Sequence, residues 1–247
     1  DYLNRGAGVV TSIVTRIRKG PYLKAKLHFK SWDDVNEEIS RALTLFPTHA
    51  WESDETQFDI RRESDRQALA TALNNIQSNL LLANGVRNTN GILIDSYLKG
   101  YDLVKDIITS DDLSKVYEDD LFGEQKTFVG SDHLAVYLKD VLLEINDGDM
   151  GKDIEIADCQ GSDSPNPLHL SMIQDYLLKT HLIIYVISSR TGLRQADIRF
   201  LSIIRNMGIL ENILFVLNSD FSEHETLDGL NSLVDSTSED LSVIIPD

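Results

Sequence analysis

A chain of 247 residues with 42% hydrophobic side chains has enough apolar surface for one large α/β domain, or a domain carrying an insertion, and excludes wholesale disorder. Its 40 acidic against 23 basic residues give a formal charge of −17, which excludes a free-standing nucleic-acid binder because a polyanion would be repelled. The one cysteine, Cys159, excludes an internal disulfide and suits a reducing compartment, so the cytoplasm is the expected location. No apolar run reaches the roughly 18 residues of a membrane span, and "DYLNRGAGVV" at the start lacks the apolar stretch of a signal peptide. The first residue is Asp, not Met, which makes a fragment the expectation.

Residues 9–30 alternate apolar and polar side chains around Gly20-Pro21, and this predicts two antiparallel strands joined by a turn. Arg16, Arg18, Lys19, Lys24 and Lys26 would give that pair a basic side, read most simply as a solvated strand face. A helical middle follows. "SWDDVNEEISRALTLF" opens with a Ser31–Asp34 capping signature and places Val35, Ile39, Ala42 and Phe46 on one stripe. "ESDRQALATALNNIQSNLLLANG" repeats Leu69, Leu73, Ile76 and Leu80 at helical spacing and stops at Asn84-Gly85. "GILIDSYLKGYDLVKDIITS" continues with Tyr97, Tyr101, Val104 and Ile108. Such stripes indicate core contacts, and none has the basic face of a membrane-surface helix.

From about residue 132 strands and helices alternate. "VLLEIN" and "KDIEIADC" flank "DGDMG" and predict a hairpin. A helix from Leu168 to Lys179, the strand "LIIYVISS", the helix "RQADIRFLSIIRNMG", the strand "NILFVLNSD", the helix "TLDGLNSLVDS" and a last strand "SVII" are expected next. Apolar strands separated by helices of about a dozen residues indicate a mostly parallel sheet covered on both faces. Ligands of such sheets bind at the carboxyl ends of the strands, where "ADCQG" and "LNSD" both fall.

Three short patterns carry candidate chemistry. Asp158 and Gly161 form D-x-x-G at a strand end. In a nucleotide switch the Asp orients a water on Mg²⁺, and the Gly backbone N–H approaches the terminal phosphate; a turn with an Asx hydrogen bond is the simpler alternative. "RGAGVVT" places Gly6, Gly8 and Thr11 before the first strand, where a Thr hydroxyl can serve Mg²⁺ and its backbone the γ-phosphate, or the glycines merely permit a turn. "FVLNSD" ends a strand where a GTPase carries N/T-K-x-D, a motif whose Asp accepts two N–H bonds from guanine. Two registers are open. Asp220 reads the base with Leu217 and Asn218 in place of Asn/Thr-Lys, or Asn218 takes the first position and Ser219 and Phe221 replace Lys and Asp.

Other signatures are missing. No G-x-x-x-x-G-K-[ST] phosphate loop occurs in these residues, and Gly151-Lys152 is followed by Asp153 in the expected hairpin. The six histidines show no metal-ligand spacing, and neither H-E-x-x-H, C-x-x-C nor G-x-S-x-G is present. Asp147 and Asp149 lack a calcium loop's ligand ladder, and Cys159 reads as a site-lining or buried thiol.

The order "RGAGVVT", "IADCQG", "IIYVIS", "FVLNSD" resembles the GTPase domain of dynamin-like proteins, specifically the bacterial members. The resemblance spans about residues 1–30 and 130–247. It implies a P-loop-GTPase-like sheet formed by 1–30 and 131–247, interrupted by a helical insertion over 31–130. It further implies GTP and Mg²⁺ as ligands. Thr11 and Gly161 would be the catalytic switch residues, Thr11 and Asp158 the metal-facing ones. Gly6 and Gly8 would lie beside the phosphates, and Asp220 or Asn218 at the base. Self-association through the GTPase domain and a peripheral membrane role through regions outside this chain belong to the same implication. Positioning and charge neutralisation carry phosphoryl transfer, so this chain is expected to be inactive alone, with a phosphate loop upstream of residue 1 in the intact protein. A non-catalytic interaction module on a degenerate GTPase fold is the competing expectation.

Overall fold

The computed structural model describes residues 13–43, 57–80, 89–109, 113–146, 148–159, 173–174, 176–219 and 226–245. They fall into two compact units, 1–160 and 161–247. The class is α/β, as the alternation of elements indicates.

The first unit is built on five strands, β1 (Val14–Lys19), β2 (Lys24–Phe29), β3 (Ser114–Glu118), β4 (Leu138–Ile145) and β5 (Glu155–Asp158), in the order β3-β2-β4-β1-β5. β1 and β4 run parallel, while the other three neighbouring pairs are antiparallel, so this sheet is mixed. The expected hairpin over 9–30 does not form, because β4 lies between β1 and β2. The hairpin expected around "DGDMG" fails in the same way, with β1 between β4 and β5. The cause is apolar content. β4 buries Val141, Leu142 and Leu143 in succession, which needs cover on both faces and neighbours on both edges. β1 and β2 carry charges on alternate residues. Gly20 makes the close passage possible: its N–H donates to the Ile145 carbonyl at 2.9 Å, and a Cβ there would lie 2.6 Å from Glu144 Cβ.

Helices α1 (Trp32–Leu43), α2 (Glu63–Leu80), α3 (Thr89–Val104), α4 (Gln125–Val129) and α5 (Asp132–Ala135) belong to this unit. The Ser31–Asp34 box caps α1 as expected. The Ser31 N–H donates to Asp34 Oδ2 at 3.0 Å, and the Asp34 N–H donates to Ser31 Oγ at 3.1 Å. One core unites sheet and helices: Ala25, Leu27 and Phe29 of β2, Val141 and Leu143 of β4, Val35 and Ile39 of α1, Leu69 and Leu73 of α2, and Tyr97 and Tyr101 of α3. Each fully buried large apolar side chain contributes about 1.5–3 kcal/mol. β3 lies inside the stretch read as helical, because "SKVYE" is too short to declare its period.

Three aromatic rings and a buried ion pair lock α1 and α3 to the end of β2. Lys30 and Glu38 are 6% and 8% exposed, and Lys30 Nζ lies 2.7 Å from Glu38 Oε1. Tyr97, fully buried, donates its hydroxyl to Glu38 and accepts from Lys30 Nζ at 3.2 Å. Burial, aided by the Glu38 charge, drives the Tyr97 phenol well above its usual value, so it stays a donor. The Tyr97 and Tyr137 rings meet edge-to-face at 5.0 Å, with Trp32 6.1 Å from Tyr137.

In the second unit β6 (Ile183–Ser188) and β7 (Ile213–Asn218) form a parallel pair. Helices α6 (Gln195–Asn206) and α7 (Leu227–Ile244) accompany it. Ile183, Phe200, Leu201 and Ile204 make its core, with Tyr185 and Phe215 against them. α7 continues through "SVII" to Ile244, so the expected last strand is instead the helix's final turn. Among the described residues no helix is long and apolar enough to cross a membrane.

Candidate functional site

Of the sequence-predicted site residues, the structure describes Asp158 and Asn218. Gly6, Gly8, Thr11, Gly161 and Asp220 lie outside the described residues. Asp158 and Asn218 belong to different units, and each is described within its own.

Asp158 is the last residue of β5 and exposed. β5 runs antiparallel to β1 with Thr15 opposite Asp158 and Arg18 opposite Glu155. Ile13, the first described residue, therefore stands at the same end of the sheet at which β5 delivers Asp158. The exposed carboxylate oxygens of Asp158 are of the kind that serve water or a hard cation, which prefers oxygen ligands. Cys159 follows directly. Burial, and secondarily the Asp158 charge, push its thiol up to about 11, which makes it a poor nucleophile.

Asn218 ends β7 with its side chain exposed, beside Ser188 at the end of β6. Its carbonyl accepts from the Ser189 N–H at 3.0 Å. The chain then turns tightly: the Ser188 carbonyl accepts from the Gly192 N–H at 2.9 Å, and Ser188 Oγ accepts from the Arg190 N–H at 3.3 Å. Gly192 sits at φ +57°, which disfavours a side chain. β6 thus ends in a polar turn at its carboxyl end, and β7 ends on the polar Asn218. The "SSRTG" turn escaped the sequence reading; its signal was a hydroxyl-rich, glycine-closed segment directly after an apolar strand.

The basic strand face is not a positive patch. β4 and β3, the neighbours of β1 and β2, bring carboxylates beside several of the basic side chains. Arg16 Nη2 pairs with Asp140 at 2.8 Å, Arg18 Nε donates to Glu144 at 2.9 Å, and Lys24 pairs with Glu118 at 3.0 Å. His28 shares a 2.7 Å hydrogen bond with the same Asp140 oxygen as Arg16. Burial opposes ionisation of Asp140, but His28 and Arg16 outweigh it and hold the carboxyl below its ordinary value. A shallow hollow bounded by Arg18, Lys24, Lys26, Leu142 and Glu144 lies on this face, with Glu144 already engaged by Arg18. Among the described residues no cluster of His, Cys, Asp and Glu is arranged to hold a metal ion.

The fold is similar to two solved structures, each described as an oligomerised bacterial dynamin pair that provides a mechanism for the long-range sensing and tethering of membranes. One superposes with a TM-score of 0.57 at 14% identity, over 100% of this chain and 33% of that one. The other gives a TM-score of 0.51 at 15% identity, over 97% and 32%. The fold is therefore dynamin-like, and the chain spans about a third of the length of those structures. No protein-family model matches the sequence, and no curated protein does.

Proposed function

We propose that this chain is the switch-bearing part of a dynamin-like GTPase module whose phosphate loop is supplied by another part of the same protein. The observation that carries the reading is the register opposing Thr15 to Asp158. It brings the strand that follows the Gly6–Thr11 segment, and the strand that delivers Asp158, to one end of a dynamin-like sheet. In this reading Asp158 holds a water of a bound Mg²⁺, Thr11 supplies a hydroxyl, and Gly161 supplies a backbone N–H. Asp220 or Asn218 reads the base. Mg²⁺, when bound, neutralises charge on the phosphates of GTP. Asp158 suits that role as an exposed oxygen donor. Self-association and membrane attachment, as the neighbours' description would suggest, are further proposals for the whole protein.

Steady-state GTP hydrolysis by the intact protein tests this reading. Hydrolysis lost by a factor of 100 or more in Asp158→Ala supports it. A specific observation keeps a second reading alive, namely the absence of G-x-x-x-x-G-K-[ST] from these 247 residues. Should the intact protein neither bind nor hydrolyse GTP, the chain is an interaction module built on the same fold.

A further inference from the structure

We propose that Thr15 is a positioning residue for Asp158: its hydroxyl donates to the Asp158 carboxylate and fixes the orientation in which that carboxylate meets a hydrated Mg²⁺. The inference rests on the nucleotide reading above and adds to it a residue that lies in none of the short sequence patterns.

The sheet singles this side chain out. Directly opposed residues of neighbouring strands carry their side chains on the same face. The ladders from β2 to β5 therefore set Leu27, Val141, Thr15 and Asp158 in one row across one face. The adjacent row on that face is Ala25, Leu143, Ile17 and Ile156. This is the face that packs on the helices, since Ala25, Leu27, Val141 and Leu143 belong to the core and Ile13 and Ile17 lie against it. Thr15 is thus a hydroxyl in apolar company, with Ile13 and Ile17 on either side along the chain and Val141 across the ladder.

That placement needs a partner. Thr15 is 8% exposed, and a buried hydroxyl is costly unless it is hydrogen-bonded. Of the other side chains in the two rows, Asp158 alone carries an acceptor. Opposed Cβ atoms of an antiparallel pair lie about 4.5–5.5 Å apart, so rotation about the Asp158 side-chain bonds brings its carboxylate to the Thr15 hydroxyl. A hydroxyl donating to an ionised carboxylate makes a short, charge-assisted bond. It occupies one oxygen and leaves the other for water on the metal. Thr suits the position better than Ser or Val: its methyl continues the apolar row, its hydroxyl supplies the donor, and its branched Cβ restricts χ1. Asp158 is exposed at its strand end, where an unheld carboxylate samples several rotamers. The bond to Thr15 removes that freedom before the metal arrives, as hydrogen bonds to metal-facing groups do.

The test titrates Mg²⁺ into the intact protein at a fixed concentration of fluorescent GTP analogue and follows binding. Partners that orient metal-facing groups contribute 10–100-fold to metal affinity, so Thr15→Val, which keeps the shape and removes the hydroxyl, should raise the half-maximal Mg²⁺ concentration about tenfold. Thr15→Ser keeps the hydroxyl and should behave as the parent does. In an Asp158→Ala background Thr15→Val should add no further loss, because it acts through that carboxylate. Analogue binding without Mg²⁺ should be the same in the parent and both Thr15 variants. Far-UV circular dichroism checks that the fold is kept, and Thr15→Ala gives the same comparison should Val disturb the packing. An unchanged Mg²⁺ requirement in Thr15→Val, an equal loss with and without Asp158, or a loss that is already present without Mg²⁺ overturns the proposal and leaves the nucleotide reading standing. Analogue binding by the parent that ignores Mg²⁺ overturns that reading and this inference with it.

Discussion

Replacing Lys30 by Met removes the charge but keeps a side chain of similar length and shape, which isolates the buried ion pair. In the native chain Lys30 Nζ reaches both oxygens of Glu38, at 2.7 and 2.8 Å, and both residues are less than a tenth exposed. The substitution leaves Glu38 inside the core with the Tyr97 hydroxyl as its remaining donor in the cluster. Stranding one member of a buried pair costs about 3–5 kcal/mol. At roughly 2–4 °C per kcal/mol for a domain of this size, the midpoint should fall by about 6–20 °C. Adding Glu38→Leu should recover most of that loss, because the uncompensated charge is gone and Tyr97 can donate to the Val136 carbonyl at 3.0 Å. Urea unfolding of the four members of the cycle measures the free energies, and thermal unfolding the shift of the midpoint. A single variant within 1 kcal/mol of the parent, or a double variant no more stable than Lys30→Met, would refute the argument that the pair is desolvated and mutually dependent.

Gly100→Ala should fail more severely than its helix propensity suggests. The added Cβ would lie 1.8 Å from the His133 carbonyl oxygen, where α3 passes α5, so a gain of about 1 kcal/mol in propensity is overwhelmed. Loss of soluble, cooperatively unfolding protein is the expected result, read by thermal denaturation. Cys159 should react with a disulfide reagent about 100-fold more slowly at pH 8 than a thiol of ordinary pKa near 9, with the rate rising until about pH 11. A raised thiol pKa means fewer thiolates at every pH below it. Asp158→Asn should lower the midpoint of that pH profile only in part, because burial is the larger cause and remains.

Local structure was legible in particular residues, and pairing was not. The Ser31–Asp34 box and the Tyr97, Tyr101, Val104 and Ile108 stripe announced α1 and α3, because caps and helical stripes are written in neighbouring residues. Strand neighbours are decided by distant competition. Period-two alternation says which face a residue takes but not which strand lies beside it, so β4 displaced β2 from the side of β1. "SVII" reads as a strand by its β-branched residues, yet α7 extends through it by continuing an established helix. Lys30 and Glu38 gave no sign of burial, since a charged residue's default is the surface. At the candidate site, Asp158 falls at a strand end as its apolar run implied. Its relation to β1 came from the ladder register and not from the motif.

The measurement closest to the central claim is a titration of the intact protein with a fluorescent GTP analogue, with and without Mg²⁺, in parent and Asp158→Ala forms. The account predicts saturable binding that weakens at least tenfold without Mg²⁺ and loses that Mg²⁺ dependence in Asp158→Ala. Binding that is equally tight, and equally Mg²⁺-dependent, in both proteins would contradict it.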